Sequence, residues 1–402
     1  MLCKSARINH AARFIFDMKI TPIHFAFVLA FINFVGALAG RVLLALDALR
    51  LGANPFAVGA LAATFSAFPM MFAWIAGRLD DRFGSRWLLM SGAVASSCGL
   101  LVPFLVPTLP ALYAAAAMLG LGFSFYTVSV QNLVGILGKP EEHAKQFSNF
   151  SMVAAVASFV GPMISGFSID HLGFGTACLI LALIALTPVP LLAARGGILP
   201  RGKPRAGPAE AVSGMLAAPN VRRVLITSSL VQLGIDLFQF YLPIYGYAIK
   251  LSASEIGVIL AMFAAASFVV RLIMPRLIAR SNEETVLSYA FYIGAASFVF
   301  IPLFKSAIAL SLIAFLFGLG LGCGPPITMM LTYTQSPKGR SGEALGLRLS
   351  ANHLARVVGP LLFGSIGAAF GLFPVFWGNA LMMVSGGILS RQGAKRRKSP
   401  NR

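Results

Sequence analysis

Runs of mainly apolar residues, each close to the 20 or so needed for a helix to cross a hydrocarbon core of about 30 Å, recur along the chain. They fall at 20–46, 55–76, 87–107, 109–137, 147–169, 173–194, 222–249, 254–277, 285–304, 306–334, 344–369 and 372–390. These are numbered here as spans 1 to 12. The gaps between them are short and rich in Gly, Pro and charge, as expected where a chain re-enters water. The only long gap, 195–221, reads as a flexible basic linker between two six-helix halves. The pattern predicts an all-α polytopic membrane protein. Its segments are 1–19, an N-terminal half at 20–194, the linker 195–221, a C-terminal half at 222–390 and a basic tail at 391–402.

Composition agrees with a membrane protein. Of 402 residues, 57% are hydrophobic and only 11% charged, and the mean hydropathy is +0.82, which excludes an ordinary soluble domain and a disordered chain. Cys3, Cys98, Cys178 and Cys323 are scattered singly, without a CxxC pair or a His at ligand spacing, so neither a disulfide framework nor a metal site is expected. Lys4, Arg7, Arg13 and Lys19 precede span 1, which contains a cleavage-like Ala37-Leu38-Ala39. The apolar run of about 27 residues far exceeds a signal peptide's core of about 7 to 15, so span 1 is read as retained.

The formal net charge of +19 is informative through its distribution. With the N-terminus inside, 25 Lys and Arg fall on cytoplasmic segments and only Arg50, Lys250 and Lys305 on the other side. This positive-inside bias places both termini in the cytoplasm of a multi-pass protein of the cell's inner (plasma) membrane. The tail RRKSPNR is read as an anchor to anionic lipid, with no nucleic-acid partner. Arg41, Arg271, Arg348 and Arg356 lie within spans, where a charge is costly and usually functional.

Sliding the chain against itself gives matches at one displacement, 198 residues. Gly59 falls on Gly257, GRLDDR at 77–82 on PRLIAR at 275–280, GLG at 120–122 on GLG at 318–320, GPMISG at 161–166 on GPLLFG at 359–364, and Gly173 on Gly371. One ungapped displacement at five places indicates a repeat. Repeats with an even number of spans run parallel, related by an axis along the membrane normal, with a path between them near the midplane.

Between spans 2 and 3 the chain reads GRLDDRFGSRWLL at 77–89. This resembles the signature G-x-L-a-D-r-x-G-r-k-x-x-l of the major facilitator superfamily of secondary transporters, through Gly77, Leu79, Asp81, Arg82, Gly84, Arg86 and Leu89, with Ser85 replacing one basic residue. The residues themselves indicate a close helix approach at Gly77, a tight turn at Gly84 and an anion, Asp81, able to cap the positive N-terminus of a neighbouring helix. The resemblance implies that this helix is span 11 and that the Asp81 and Arg82 cluster, with Arg86, latches the cytoplasmic gate. The second copy has Ala279 at the place of the Asp, so its latch is expected to be weaker or absent. Two departures from the family stand out. The R-x-x-q-G arginine of many proton-coupled members is Ala116 here, with Leu119 at the Gln, and span 5 carries VGPMISG at 160–166, similar to the antiporter signature g-x-x-x-G-P-x-x-G-G apart from Ser165. Span 11 has the related VGPLLFG at 358–364, a repeat property suited to bending and tight packing.

Polar side chains deep in the spans mark the candidate cavity. Gln232, Asp236 and Gln239 share one face of span 7. At about 1.5 Å per residue Asp236 lies roughly 21 Å from Arg222, near mid-bilayer, where a carboxylate costs about 2.5 to 3.5 kcal/mol unless it is paired, wetted or protonated. Span 11 carries Arg348, Asn352 and Arg356 at steps of four, with His353 beside them. Asp236 and Arg356 are expected to form a buried pair whose opening by substrate and proton is the coupling element. Arg348 is placed close enough to the cytoplasm to snorkel. Arg41 shares a face of span 1 with Asn33, and Arg271 is expected to reach the cytoplasm near Pro275. Tyr126, Tyr241 and Tyr245 are candidates to line the cavity and stack on substrate. The GLGLGCGPP stretch at 318–326 weakens span 10 and suits a bending gate.

The sequence therefore indicates a monomeric transporter without cofactor, metal or enzymatic activity. It moves a small organic solute by alternating access with protons as coupling ion, and its excess of buried arginine favours an anionic or zwitterionic substrate. The alternative is efflux of amphipathic drugs or metabolites; a membrane-embedded enzyme or a non-transporting sensor is remote, since no clustered nucleophile or metal ligands are visible.

Overall fold

The computed structural model describes residues 21–53, 55–200, 212–251 and 253–398. The N-terminal segment 1–19, with Cys3 and its four basic residues, lies outside these, as do Arg201, Lys203 and Arg205 of the linker and the last residues of the tail.

The chain is all α. Span 1 is α1 (Pro22–Arg50), span 2 α2 (Pro55–Phe83), span 3 α3 (Ser85–Leu105) and span 4 α4 (Leu109–Leu137). Spans 5 and 6 form one helical stretch, α5 (His143–Leu186), continued by α6 (Pro188–Arg195). The backbone of α5 is non-helical at Gly173, whose φ of 78° turns the chain between two arms. Linker residues read as flexible include a short helix α7 (Val212–Ala217), and α8 (Pro219–Ala248) starts ahead of the expected residue 222. Then follow α9 (Ala253–Arg280), α10 (Glu283–Phe300), α11 (Ala307–Leu321), α12 (Gly324–Gln335), α13 (Ser341–Phe370) and α14 (Leu372–Lys398). Span 10 is thus two helices, α11 and α12, parted at Gly322 and Cys323 within the GLGLGCGPP stretch.

Among the described residues nine helical stretches are long and apolar enough to cross a membrane. One of them, Pro140–Ile198, has 59 residues and contains the Gly173 turn. Helices α2 and α13 are not among the nine. The two pack against each other.

Packing repeats with the displacement of the sequence. A Cβ on Gly120 would meet Phe65 O at 2.3 Å, and one on Gly318 would meet Phe263 O at 2.5 Å; both residues are shifted by 198. A Cβ on Gly161 would meet Val35 O at 2.9 Å, and one on Gly359 would meet the Leu233 side chain at 2.0 Å, again shifted by 198. The GP motifs therefore serve close approach of α5 to α1 and of α13 to α8. The turn at Gly173 likewise matches Gly371, with φ 82°. The C-terminal core is built on stacked aromatics, Phe238 on Phe317 with centroids 4.3 Å apart.

The halves meet where α2 crosses α13 and α9 crosses α5. At the first crossing a Cβ on Gly77 would lie 1.9 Å from Gly342 O, and one on Gly346 2.1 Å from Ala73 O. Gly77→Val should force this crossing apart. A destabilisation of about 1 to 3 kcal/mol is expected, read as a lowered unfolding midpoint in detergent, whereas an unchanged midpoint would mean that the helices are not in contact.

Candidate transport site and gate

Three helices bring the predicted charges together. On α8, Gln232 Nε2 donates to Asp236 Oδ1 at 3.0 Å, the i,i+4 contact expected from the spacing. From α13, Arg356 Nε donates to Asp236 Oδ2 at 2.9 Å. The side chains of Arg356 and Asp236 are 39% and 23% exposed, so the pair stands open and not sealed in the core. Arg41 on α1 interacts electrostatically with both partners, and its guanidinium lies 5.7 Å from the centroid of the Phe65 ring. His353, buried one turn below Arg356, interacts with Arg356 and Arg41 and has no hydrogen-bond partner at Nδ1. Gln239 is exposed on the same face of α8. Two guanidinium groups thus surround one carboxylate, whose two oxygens are both already engaged, giving a site able to receive an acidic group.

Other candidates lie elsewhere. Asn352 is buried, its Oδ1 accepting from Ser228 at 3.1 Å and Ser229 at 3.5 Å, so it ties α13 to α8. Asn33 and Tyr126 are closed off: Tyr126 is 0% exposed within the N-terminal core, and neither has a hydrogen-bond partner for its side chain. The expectation that Tyr126 stacks on substrate is not met here, because its face of α4 turns into the helices of its own half. Tyr241 is buried too, and Tyr245 donates to Pro302 O and Phe304 O, anchoring α8 and not lining a cavity.

Two arginines expected to snorkel do not. Arg348 is 4% exposed; its Nη2 donates to Gln131 Oε1 on α4 at 2.7 Å and its Nη1 to Ser228 Oγ at 3.3 Å. Arg271 donates from Nε to Gly322 O at 2.9 Å and from Nη1 to Ser151 O on α5 at 3.2 Å. Their helices are rotated so that these residues face the seam between the halves, where hydrogen bonding to the other half replaces water.

The signature loop forms a lock at the end of the bundle that carries the linker. Gly84 makes the turn from α2 to α3 at φ 84°. Asp81 Oδ1 accepts from the Gly342 N–H and Oδ2 from the Glu343 N–H, both at 2.9 Å, capping α13 across the seam. Asn132 on α4 donates to Asp80 at 2.7 Å and to Asp81 at 3.3 Å, and accepts from Ser341 Oγ at 2.6 Å. Trp74 donates to Glu343, which also pairs with Arg340. Burial, only partly offset by the two backbone hydrogen bonds and reinforced by the nearby charges of Asp80 and Glu343, pushes the Asp81 carboxyl up to about 7. Burial also raises Asp80, against hydrogen bonds from Asn132, Ser129 and Ser85.

Arg82 and Arg86 do not cross the seam. Arg82 rests on the Phe83 ring at 5.1 Å, and Arg86 donates to Ala193 O at 3.4 Å within its own half. Asp80, Gln131 and Asn132 were not singled out from the sequence; the doubled Asp in GRLDDR and the QN pair closing span 4 are the traces they leave there. Among the described residues no group of three His, Cys, Asp or Glu is placed to hold a metal ion.

The sequence profile of the Major Facilitator Superfamily matches residues 24–360 and, in a second alignment, 224–401. The chain belongs to this superfamily. It is similar to an uncharacterized MFS-type transporter, YuxJ, of Bacillus subtilis (strain 168), 25% identical over 326 residues, 78% of this chain and 82% of the relative. It is also similar to the multidrug resistance protein MdtG of Klebsiella pneumoniae (strain 342), 24% identical over 342 residues, 83% of this chain and 81% of the relative. Among solved structures, a bacterial homologue of the iron transporter ferroportin in its outward-facing state superposes with a TM-score of 0.76 at 16% identity, covering 94% of this chain and 100% of that one. The human organic anion transporter MFSD10 superposes with a TM-score of 0.71 at 16% identity, covering 92% and 100%. These superpositions establish the fold. The superfamily member described here is thus a multi-pass membrane protein, a secondary transporter of small molecules and not an enzyme.

Proposed function

We propose that this transporter exports small amphipathic organic molecules across the cell membrane in exchange for protons, through a site centred on Asp236 and Arg356. The relatives named as multidrug resistance proteins, matched over 83% of this chain, support export. The observation that carries the site assignment is the open Asp236–Arg356 pair facing Arg41 while Asp81, Asn132 and Arg348 tie the halves together at the opposite, linker end. This is the arrangement of a transporter open to one side.

The reading includes twelve crossings: the nine stretches, with Pro140–Ile198 crossing twice at its Gly173 turn, together with α2 and α13. Two parallel six-helix repeats are supported by glycine contacts repeated at 198 residues. The linker end is cytoplasmic in this proposal, which the basic residues concentrated there support.

A second reading has its own support. Two arginines around one carboxylate favour a solute with an acidic group, and an anion that takes Arg356 from Asp236 leaves a carboxylate that gains a proton. Anion and proton then move together. A solute that competes with the proton for Asp236 moves against it. The two readings therefore differ in the sign of proton movement, which a lumenal pH dye in proteoliposomes reports.

A further inference from the structure

The second repeat lacks the Asp of the gate: Ala279 stands there, and Ile278 beside it packs against the cores of both halves. The α9/α5 crossing nevertheless carries polar ties, at a different depth. Residue 271 occupies the position of Ala73 in the first repeat, and Ser148 that of Gly346, each shifted by 198. At the first crossing the Ala73 carbonyl abuts Gly346. At the second, Ser148 Oγ donates to the Arg271 carbonyl. Arg271 then reaches further in two directions: Nη1 donates to Ser151 O in the other half, and Nε to Gly322 O at the break between α11 and α12.

We propose that Arg271 is the second latch of the linker-end gate, replacing the absent carboxylate, and that it links closure of the α9/α5 seam to the break in span 10. The polarity is inverted relative to the first latch. There a carboxylate accepts from amide N–H groups at a helix start; here a guanidinium donates to main-chain carbonyls. A guanidinium out of water needs its donors engaged, and the carbonyl of Ser151 is available only while the halves are closed. Gly322 belongs to Arg271's own half, so that bond persists when the seam opens. Opening therefore releases one of the two holds on the Arg271 guanidinium and lets the Gly322 segment move with it. Arg271 is a positioning residue; it touches no transported solute in this account.

The test uses the full-length protein with Cys3 and Cys98 replaced by Ser and spin labels at Lys139 and Lys338, which are exposed on opposite halves at the linker end. The parent is expected to give a predominantly short distance. Arg271→Gln loses the charged bond to Ser151 O and should raise the long-distance population about tenfold, with Ser148→Ala giving a smaller rise and Arg271→Lys falling between. Cys323, buried beside Gly322, should alkylate with N-ethylmaleimide faster in Arg271→Gln, a change that loss of general stability without gate opening does not give at temperatures far below unfolding. Distance distributions and Cys323 reactivity that match the parent in both Arg271→Gln and Ser148→Ala would overturn the proposal. The proposal rests on alternating access, and the measurement involves no solute, so its outcome is independent of which solute is carried and of Asp236.

Discussion

Asp236→Asn is expected to abolish solute-coupled proton movement while leaving the protein folded. The substitution keeps the size and one acceptor oxygen but removes the charge that pairs with Arg356. The site then holds Arg41 and Arg356 with no carboxylate between them to exchange a proton for a solute. Because both side chains are partly exposed, the pair adds only about 0 to 1 kcal/mol to stability. The unfolding midpoint should therefore move little, in contrast to the transport defect. A solute with an acidic group should still bind, and more tightly, since Arg356 no longer has to be taken from Asp236. Undiminished proton coupling in Asp236→Asn would remove this residue from the mechanism. The mirror variant, Arg356→Gln, should weaken binding of acidic solutes more than that of their neutral esters.

The second large effect concerns Asp81. Asp81→Ala removes two hydrogen bonds of 2.9 Å from a carboxylate to the start of α13. Hydrogen bonds contribute roughly 0.5 to 1.5 kcal/mol each, so the closed linker end should lose most of its population, read as a long distance between labels at Lys139 and Lys338. The same carboxyl gives closure a pH dependence whose sign follows from its environment. In the closed form burial holds it at about 7, whereas in an open, wetted form it returns towards the ordinary value of about 3.9. Closing therefore takes up a proton: closure is strongest below about pH 4, weakens as pH rises to about 7 and is level above it, by at most about tenfold per pH unit. Asp81→Asn, which cannot titrate, should flatten this component and slow turnover while leaving solute affinity largely intact. A gate equilibrium with equal pH dependence in the parent and in Asp81→Asn would contradict this account.

How much of this was legible in the sequence depended on what each signal measures. Apolar length located the helices, and the 198-residue displacement recurs in the glycine contacts, because lipid demands continuous apolar surface and equivalent crossings demand small residues at equivalent places. Depth along a helix sufficed to match Asp236 with Arg356, which lie 2.9 Å apart. Rotation about the helix axis did not emerge from depth. Arg348 and Arg271 sit close enough to the linker end to snorkel, yet they face the seam and bond to Gln131 and Ser151. Tyr126 and Asn33 have suitable depth for a cavity but turn inward. The polar residues at the end of α4 resembled an ordinary helix terminus because their partners, Asp80, Ser341 and Arg348, are about 50 or more than 200 residues away.

The most direct test of proton-coupled export is a lumenal pH dye in liposomes containing the purified transporter, with amphipathic organic solutes added outside. The lumen is expected to turn alkaline as solute enters and protons leave, and Asp236→Asn liposomes to show no more change than protein-free ones. Acidification in the parent beyond that in Asp236→Asn would contradict exchange in favour of joint movement of anion and proton. A parent indistinguishable from protein-free liposomes for every solute, with or without an imposed pH gradient, would contradict coupled transport altogether.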